Sequence, residues 1–152
     1  MAPAPLTCVL LLLGISGAAA TNPEGEAFLA EKAASPGVVK LDSGLMYEVL
    51  EEGSGEVHPG ANTPCKCNYE GTLIDGTKFD SSYDRGQPAT FAPQQVIPGW
   101  TEAMQLMVKG DKWKLYIPSE LAYGEQGAGG KIPGGAALIF TMKIEDIIGV
   151  EQ

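Results

Sequence analysis

The sequence predicts an α+β domain in which one twisted antiparallel sheet buries its apolar face against a single short helix. Three observations predict it. Apolar and polar residues alternate over 65–70, 112–117 and 138–145, the period of two that marks half-buried strands. One segment within that set, opened by Pro98 and Gly99, places Trp100, Ala103, Met104 and Met107 at helical spacing. Asp75-Gly76, between Leu73-Ile74 and Phe79, has the chemistry of a tight hairpin, the connection that joins antiparallel neighbours. A sheet with one apolar face needs a covering layer, and this helix supplies it.

The elements follow in order. Residues 6–20 are apolar or small and carry no charge. That run is too short to span a bilayer comfortably. Ala18-Ala19-Ala20, followed by polar Thr21-Asn22-Pro23-Glu24, suits a signal peptidase. Residues 1–20 are therefore expected to be a cleaved secretory signal, with an uncleaved anchor as the alternative, and the mature chain is expected to make no stable membrane insertion.

Residues 21–42 read as a lead-in. Helix formers fill 26–34, and Ser35-Pro36-Gly37 stops them. A lone helix of that length should fray in water unless it docks.

The domain proper is expected over 43–149. Leu45, Tyr47 and Val49 share a face of its first strand, and Cys65, Cys67 and Tyr69 alternate with Lys66, Asn68 and Glu70. Trp113, Leu115 and Ile117 alternate with Lys112, Lys114 and Tyr116. The last strand turns Leu138, Phe140, Met142 and Ile144 inward. Gly110 is placed to end the helix, and Gly127-Ala128-Gly129-Gly130 reads as a mobile loop tip.

Charge and composition exclude several functions. The 10 basic residues face 19 acidic ones, for a net charge of −9, so no nucleic-acid partner is expected. Of three cysteines, Cys8 leaves with the signal. Cys65 and Cys67 lie two apart on one strand face, where a bridge would be strained, and read as core residues. His58 is the only histidine. A metal site would need more imidazoles or thiolates, so neither metal nor cofactor is expected. His58 sits in a Pro/Gly turn without a matched nucleophile motif, which argues against a hydrolase.

By periodicity alone Phe91, Trp100 and Phe140 would be core aromatics. Their neighbours point further. The strings Tyr69-Glu70-Gly71-Thr72-Leu73, Gly76-Thr77-Lys78-Phe79-Asp80-Ser81-Ser82, Val96-Ile97-Pro98-Gly99-Trp100, Ile117-Pro118-Ser119-Glu120-Leu121-Ala122-Tyr123-Gly124 and Lys131-Ile132-Pro133-Gly134-Gly135-Ala136 closely resemble the FKBP-type peptidyl-prolyl cis-trans isomerases. The run from Gly71 to Phe91 looks most like the macrophage infectivity potentiator branch. The likeness covers nearly all of 25–148.

The resemblance implies an FKBP-like half-barrel wrapped around its short helix, with the active cleft between sheet and helix. It implies Trp100 as a floor under the prolyl ring and Tyr69, Phe79, Phe91 and Phe140 as walls. Val96 and Ile97 would flank one side, with the Ile97 N–H donating to a substrate carbonyl. Ile132 would overhang on a loop, and Tyr123 would offer its hydroxyl. Asp80 would sit beside Tyr69 with Arg85 holding its charge, and Arg85 is expected among the substrate-binding residues with Tyr69, Phe91, Val96, Ile97, Ile132 and Phe140. Asp80, Trp100, Tyr123 and Phe79 are the expected catalytic set. Ala128, Lys131 and Gln95 depart from some relatives at the cleft border and bear on substrate preference.

The implied partners are proline-containing polypeptides, with macrolide immunosuppressants as inhibitors. The competing reading is a weakly catalytic proline-binding chaperone or scaffold of the same fold. The branch's long dimerising helix has no counterpart in the short lead-in, so a monomer is expected. The signal implies the secretory pathway, either the endoplasmic reticulum lumen or the outside of the cell, or a bacterial periplasm.

Overall fold

The computed structural model describes residues 21–149. The signal expectation concerns residues 1–20 and lies outside them. In chain order the elements are α1 (Pro23–Ala33), β1 (Val38–Lys40), β2 (Met46–Glu51), β3 (Cys65–Leu73), β4 (Lys78–Ser81), the single turn α2 (Ser82–Arg85), β5 (Ala89–Phe91), α3 (Pro98–Leu106), β6 (Lys112–Ile117) and β7 (Leu138–Ile147). All strand pairs are antiparallel, in the order β1-β2-β6-β7-β3-β4, with β5 also on β3. The expected α+β arrangement is what forms.

Parity explains the core. The inward residues of β3, β6 and β7 meet Ala103 and Met104 of α3 and Met107 just past its end, and Cys67, Leu115, Met142 and Ile144 are fully buried among them. Pro98 starts α3, where its missing N–H costs nothing. Gly99 brings the helix close to β6: a Cβ there would lie 2.8 Å from Ile117 Cγ2. At the far end Asp111 accepts from Gly53 N (2.7 Å) and Val108 N (3.0 Å), which ties the long β2–β3 connection to the end of the helix. Cys65 and Cys67 are buried and unbridged.

The opposite face differs from the alternation. Tyr116 and Met46 have outward parity, yet both are buried. The cause is α1, which docks there instead of fraying: Phe28 lies 5.9 Å from the Tyr116 ring, and Lys32 stands over both rings. Val49 shares the parity of Leu45 and Tyr47 but is 42% exposed. It lies where the β2–β6 register shifts, while Tyr47 stacks on Trp113 at 4.0 Å. The 127–130 segment, expected to be a loop tip, is pinned by backbone bonds. Ala128 and Ile132 exchange two backbone bonds (2.9 and 3.0 Å), and Gly127 takes the left-handed φ of 69° that the turn requires.

Candidate functional site

The cup begins with β3. Its outer edge is shared between β5, opposite Cys65 to Cys67, and β4, opposite Glu70 to Thr72. Tyr69 falls between them, and its amide donates to Ser82 Oγ at 2.8 Å instead of to a strand. The Ser82 hydroxyl donates in turn to Asn68 Oδ1 (2.8 Å). This buried relay fixes Tyr69 at the junction of sheet and α2.

Trp100, at the start of α3, is the hub. Tyr69, Phe91 and Phe140 stand nearly perpendicular to it at centroid distances of 5.0, 5.6 and 5.0 Å. Edge-to-face contact of this kind adds roughly 0.5–1.5 kcal/mol per pair beyond area burial. Phe79 meets Phe140 at 5.5 Å and 88°. Gly71 allows that contact, because a Cβ there would lie 2.6 Å from Phe140 and 2.7 Å from Phe79. The Trp100 indole N–H has no acceptor among the described residues.

The rings enclose a cavity of about 620 Å³. Tyr69, Phe79, Asp80, Phe91, Val96, Ile97, Trp100, Tyr123, Ile132 and Phe140 all line it. Arg85 does not. It stands behind the wall, donating to Asp80 Oδ1 (2.6 Å) and to the Tyr69 hydroxyl (2.7 Å) with its guanidinium over the Tyr69 ring. Tyr69 closes the triangle by donating to Asp80 Oδ2 (2.8 Å). Gln95, Ala128, Gly129 and Lys131 complete the lining.

Two residues that shape the site carry no functional expectation in the sequence. Gly71 continues the inward series Cys65, Cys67, Tyr69, and a glycine at an inward strand position signals close approach. Ser82 offers no such signal, since its role depends on a gap between two edge strands.

Electrostatics keep the rim polar. Partial burial pulls the Asp80 carboxyl upward, but the bonds from Tyr69 and Arg85 and the guanidinium charge outweigh it and hold Asp80 below the ordinary carboxylate value. Burial, then the Asp80 charge, pushes the Tyr123 hydroxyl up, so it stays a donor. Tyr123 is 39% exposed, and neither its hydroxyl nor the Ile97 amide has a partner among the described residues. Among those residues no group of three or more His, Cys, Asp or Glu could hold a metal.

Fold and cup together define a site with aromatic walls around an apolar cavity and two uncommitted donors among its lining residues. A family model described as FKBP-type peptidyl-prolyl cis-trans isomerase matches residues 55–145, and one described as the domain amino terminal to FKBP-type peptidyl-prolyl isomerase matches 16–49. The chain belongs to the FKBP-type peptidyl-prolyl cis-trans isomerases.

Among its relatives, the macrophage infectivity potentiator of Trypanosoma cruzi is 45% identical over 93% of this chain and 77% of that protein. The FKBP-type peptidyl-prolyl cis-trans isomerase FkpA of Aeromonas hydrophila is 54% identical over 80% of this chain, but the chain spans only 44% of that longer protein. The crystal structure of FkpA from Escherichia coli superposes with a TM-score of 0.77 at 44% identity, over 82% of this chain and 57% of that one.

Proposed function

We propose that this chain accelerates cis–trans isomerisation of X–Pro peptide bonds, and through it the folding of proline-containing polypeptides, in the cup floored by Trp100. The carrying observation is the convergence of three rings on Trp100 beneath two uncommitted donors, the Ile97 amide and the Tyr123 hydroxyl. Amide resonance opposes rotation by ~18–20 kcal/mol. Both isomers are populated at X–Pro bonds, which exchange over tens of seconds or longer. The reaction breaks no covalent bond and needs no nucleophile.

A site acts here by holding the twisted amide better than either planar form. The cup seats the pyrrolidine ring, strips water from the preceding carbonyl and so weakens the charge-separated resonance form that keeps the bond planar. The Ile97 N–H and the Tyr123 hydroxyl orient the flanking carbonyls. Asp80, held ionised by Arg85 and Tyr69, presents a fixed charge to the turning amide. A ~10⁶-fold acceleration corresponds to about 8 kcal/mol of differential stabilisation, which these contributions share.

In the same reading macrolide immunosuppressants occupy the cup and compete with peptide. The chain, in this reading, acts as a monomer. The uncharged run at 6–20 routes it for export, through the secretory pathway or to a periplasm.

A proline-peptide isomerisation assay tests the proposal. Asp80→Ala, Trp100→Ala and Tyr123→Phe are each expected to lower kcat/KM at least about tenfold, or ~1.4 kcal/mol. Full activity in all three would place the chemistry elsewhere.

A further inference from the structure

The connection between β6 and β7 carries Tyr123 and Ile132 to the cup. Its two feet are bonded to two consecutive residues far upstream, Thr21 and Asn22. At the entry, the Ser119 amide donates to Thr21 Oγ1 (3.0 Å), and that hydroxyl donates to Glu120 Oε1 (2.8 Å). At the exit, the Asn22 amide donates to the Gly135 carbonyl (2.8 Å). Thr21 and Ser119 are both buried, so water cannot replace this bond at little cost.

The staple is itself built in. Asn22 Oδ1 caps α1 by accepting from Gly25 N (2.8 Å). Gly25 is buried, and a Cβ there would lie 2.5 Å from Thr21 Cγ2 and 3.3 Å from Ala137 Cβ. Docking of α1 therefore sets where Thr21 and Asn22 stand. Between the feet, the Gly135 amide donates to the Gly124 carbonyl (2.9 Å), beside Tyr123, and the Ala128–Ile132 bridge holds the overhang. The loop is cross-bonded within itself and anchored at its feet, so loosening the feet loosens the bridge and the placement of Tyr123 and Ile132 together.

We propose that Thr21 and Asn22 are positioning residues for the cleft, stapling both feet of the β6–β7 loop and setting how closely Tyr123 and Ile132 approach a bound prolyl peptide. The proposal rests on the reading of the cup as the substrate site. The amino-terminal helix is then a support of the cleft, although none of its residues lines it. Such a support acts chiefly on ground-state binding, because it aligns contacts without supplying the groups that face the amide.

The test uses the full chain with Thr21→Val, which keeps the shape and deletes the hydroxyl, and Thr21→Ser, which restores it. Thr21→Val is expected to raise KM for a proline peptide about fivefold with kcat within about twofold. It should also speed hydrogen exchange at the Ala128 and Ile132 amides while the Leu115 and Met142 amides keep wild-type protection. Thr21→Ser should return both readouts to wild type. Three results would overturn the proposal: unchanged KM and loop exchange in Thr21→Val, equal loss of protection in loop and core, or failure of the serine to rescue. A wild-type chain that neither binds nor turns over the peptide would remove the substrate reading instead, and loop exchange would still decide whether the staple exists.

Discussion

We propose that Trp100 works by shape. Its indole N–H has no acceptor among the described residues, so Trp100→Phe breaks no hydrogen bond seen there, and the missing ring area is expected to lower activity. Gly71 is the complementary case, a position where a single methyl would intrude between Phe79 and Phe140. Gly71→Ala is expected to lower kcat/KM about tenfold while costing ~1–3 kcal/mol of stability, as overpacking does. A peptide assay paired with urea unfolding checks both.

The rim groups set the pH dependence. Asp80 is held below the carboxylate range and Tyr123 is pushed above the phenol range. The cavity has no histidine in its lining. The pH profile of kcat/KM should therefore be flat from about pH 5 to about pH 9. A bell centred near neutrality would show that another group controls the reaction. At this scale the aromatic set was legible because several ordered motifs carried it together. Gly71 was legible by parity alone. Ser82 was not, because its partners are a backbone amide and Asn68, neither marked by pattern.

Among the elements, α3 matters most, since it carries Trp100. Its distance from β6 depends on Gly99, where an added Cβ would meet Ile117 Cγ2 at 2.8 Å. Gly99→Ala is expected to push the helix away from the sheet and to lower both the thermal midpoint and kcat/KM; unchanged near-ultraviolet circular dichroism and activity would contradict that placement. The strands and α3 were readable because their periods of two and 3.6 are enforced by burial on one face. Outward burial of Tyr116 and Met46 was not readable, since it depends on α1 docking from a distant part of the chain. The bridge in the glycine-rich segment at 127–130 was not readable for a similar reason: composition shows freedom in the unfolded chain, while the Ala128–Ile132 pairing is set by tertiary context.

For the whole molecule, the two buried thiols of β3 link titration to global stability. Burial pushes Cys65 up to about 11; burial, then the nearby Cys65 and Glu145, pushes Cys67 up to about 12, both from an ordinary 9.0. The folded state thus holds these protons more tightly than the unfolded chain. Their contribution is fully present below about pH 9 and is lost as pH rises toward 11 and 12. Stability should fall across that window, and Cys67→Ala should make the fall shallower in urea titrations at stepped pH. An identical slope in the variant would contradict the coupling.

The proposed function is a property of the whole molecule: an apolar cup, floored by Trp100 and rimmed by donors, that would turn X–Pro bonds over and not merely hold them. Exchange NMR on a proline peptide whose cis and trans forms give separate signals tests this most directly, because it reads binding and interconversion in one sample. With catalytic amounts of the chain, strong cis–trans exchange cross-peaks are expected, abolished or sharply weakened by Trp100→Ala. Shifted peptide signals with no gain in exchange would mean that the cup binds proline without isomerising it, and would contradict the account.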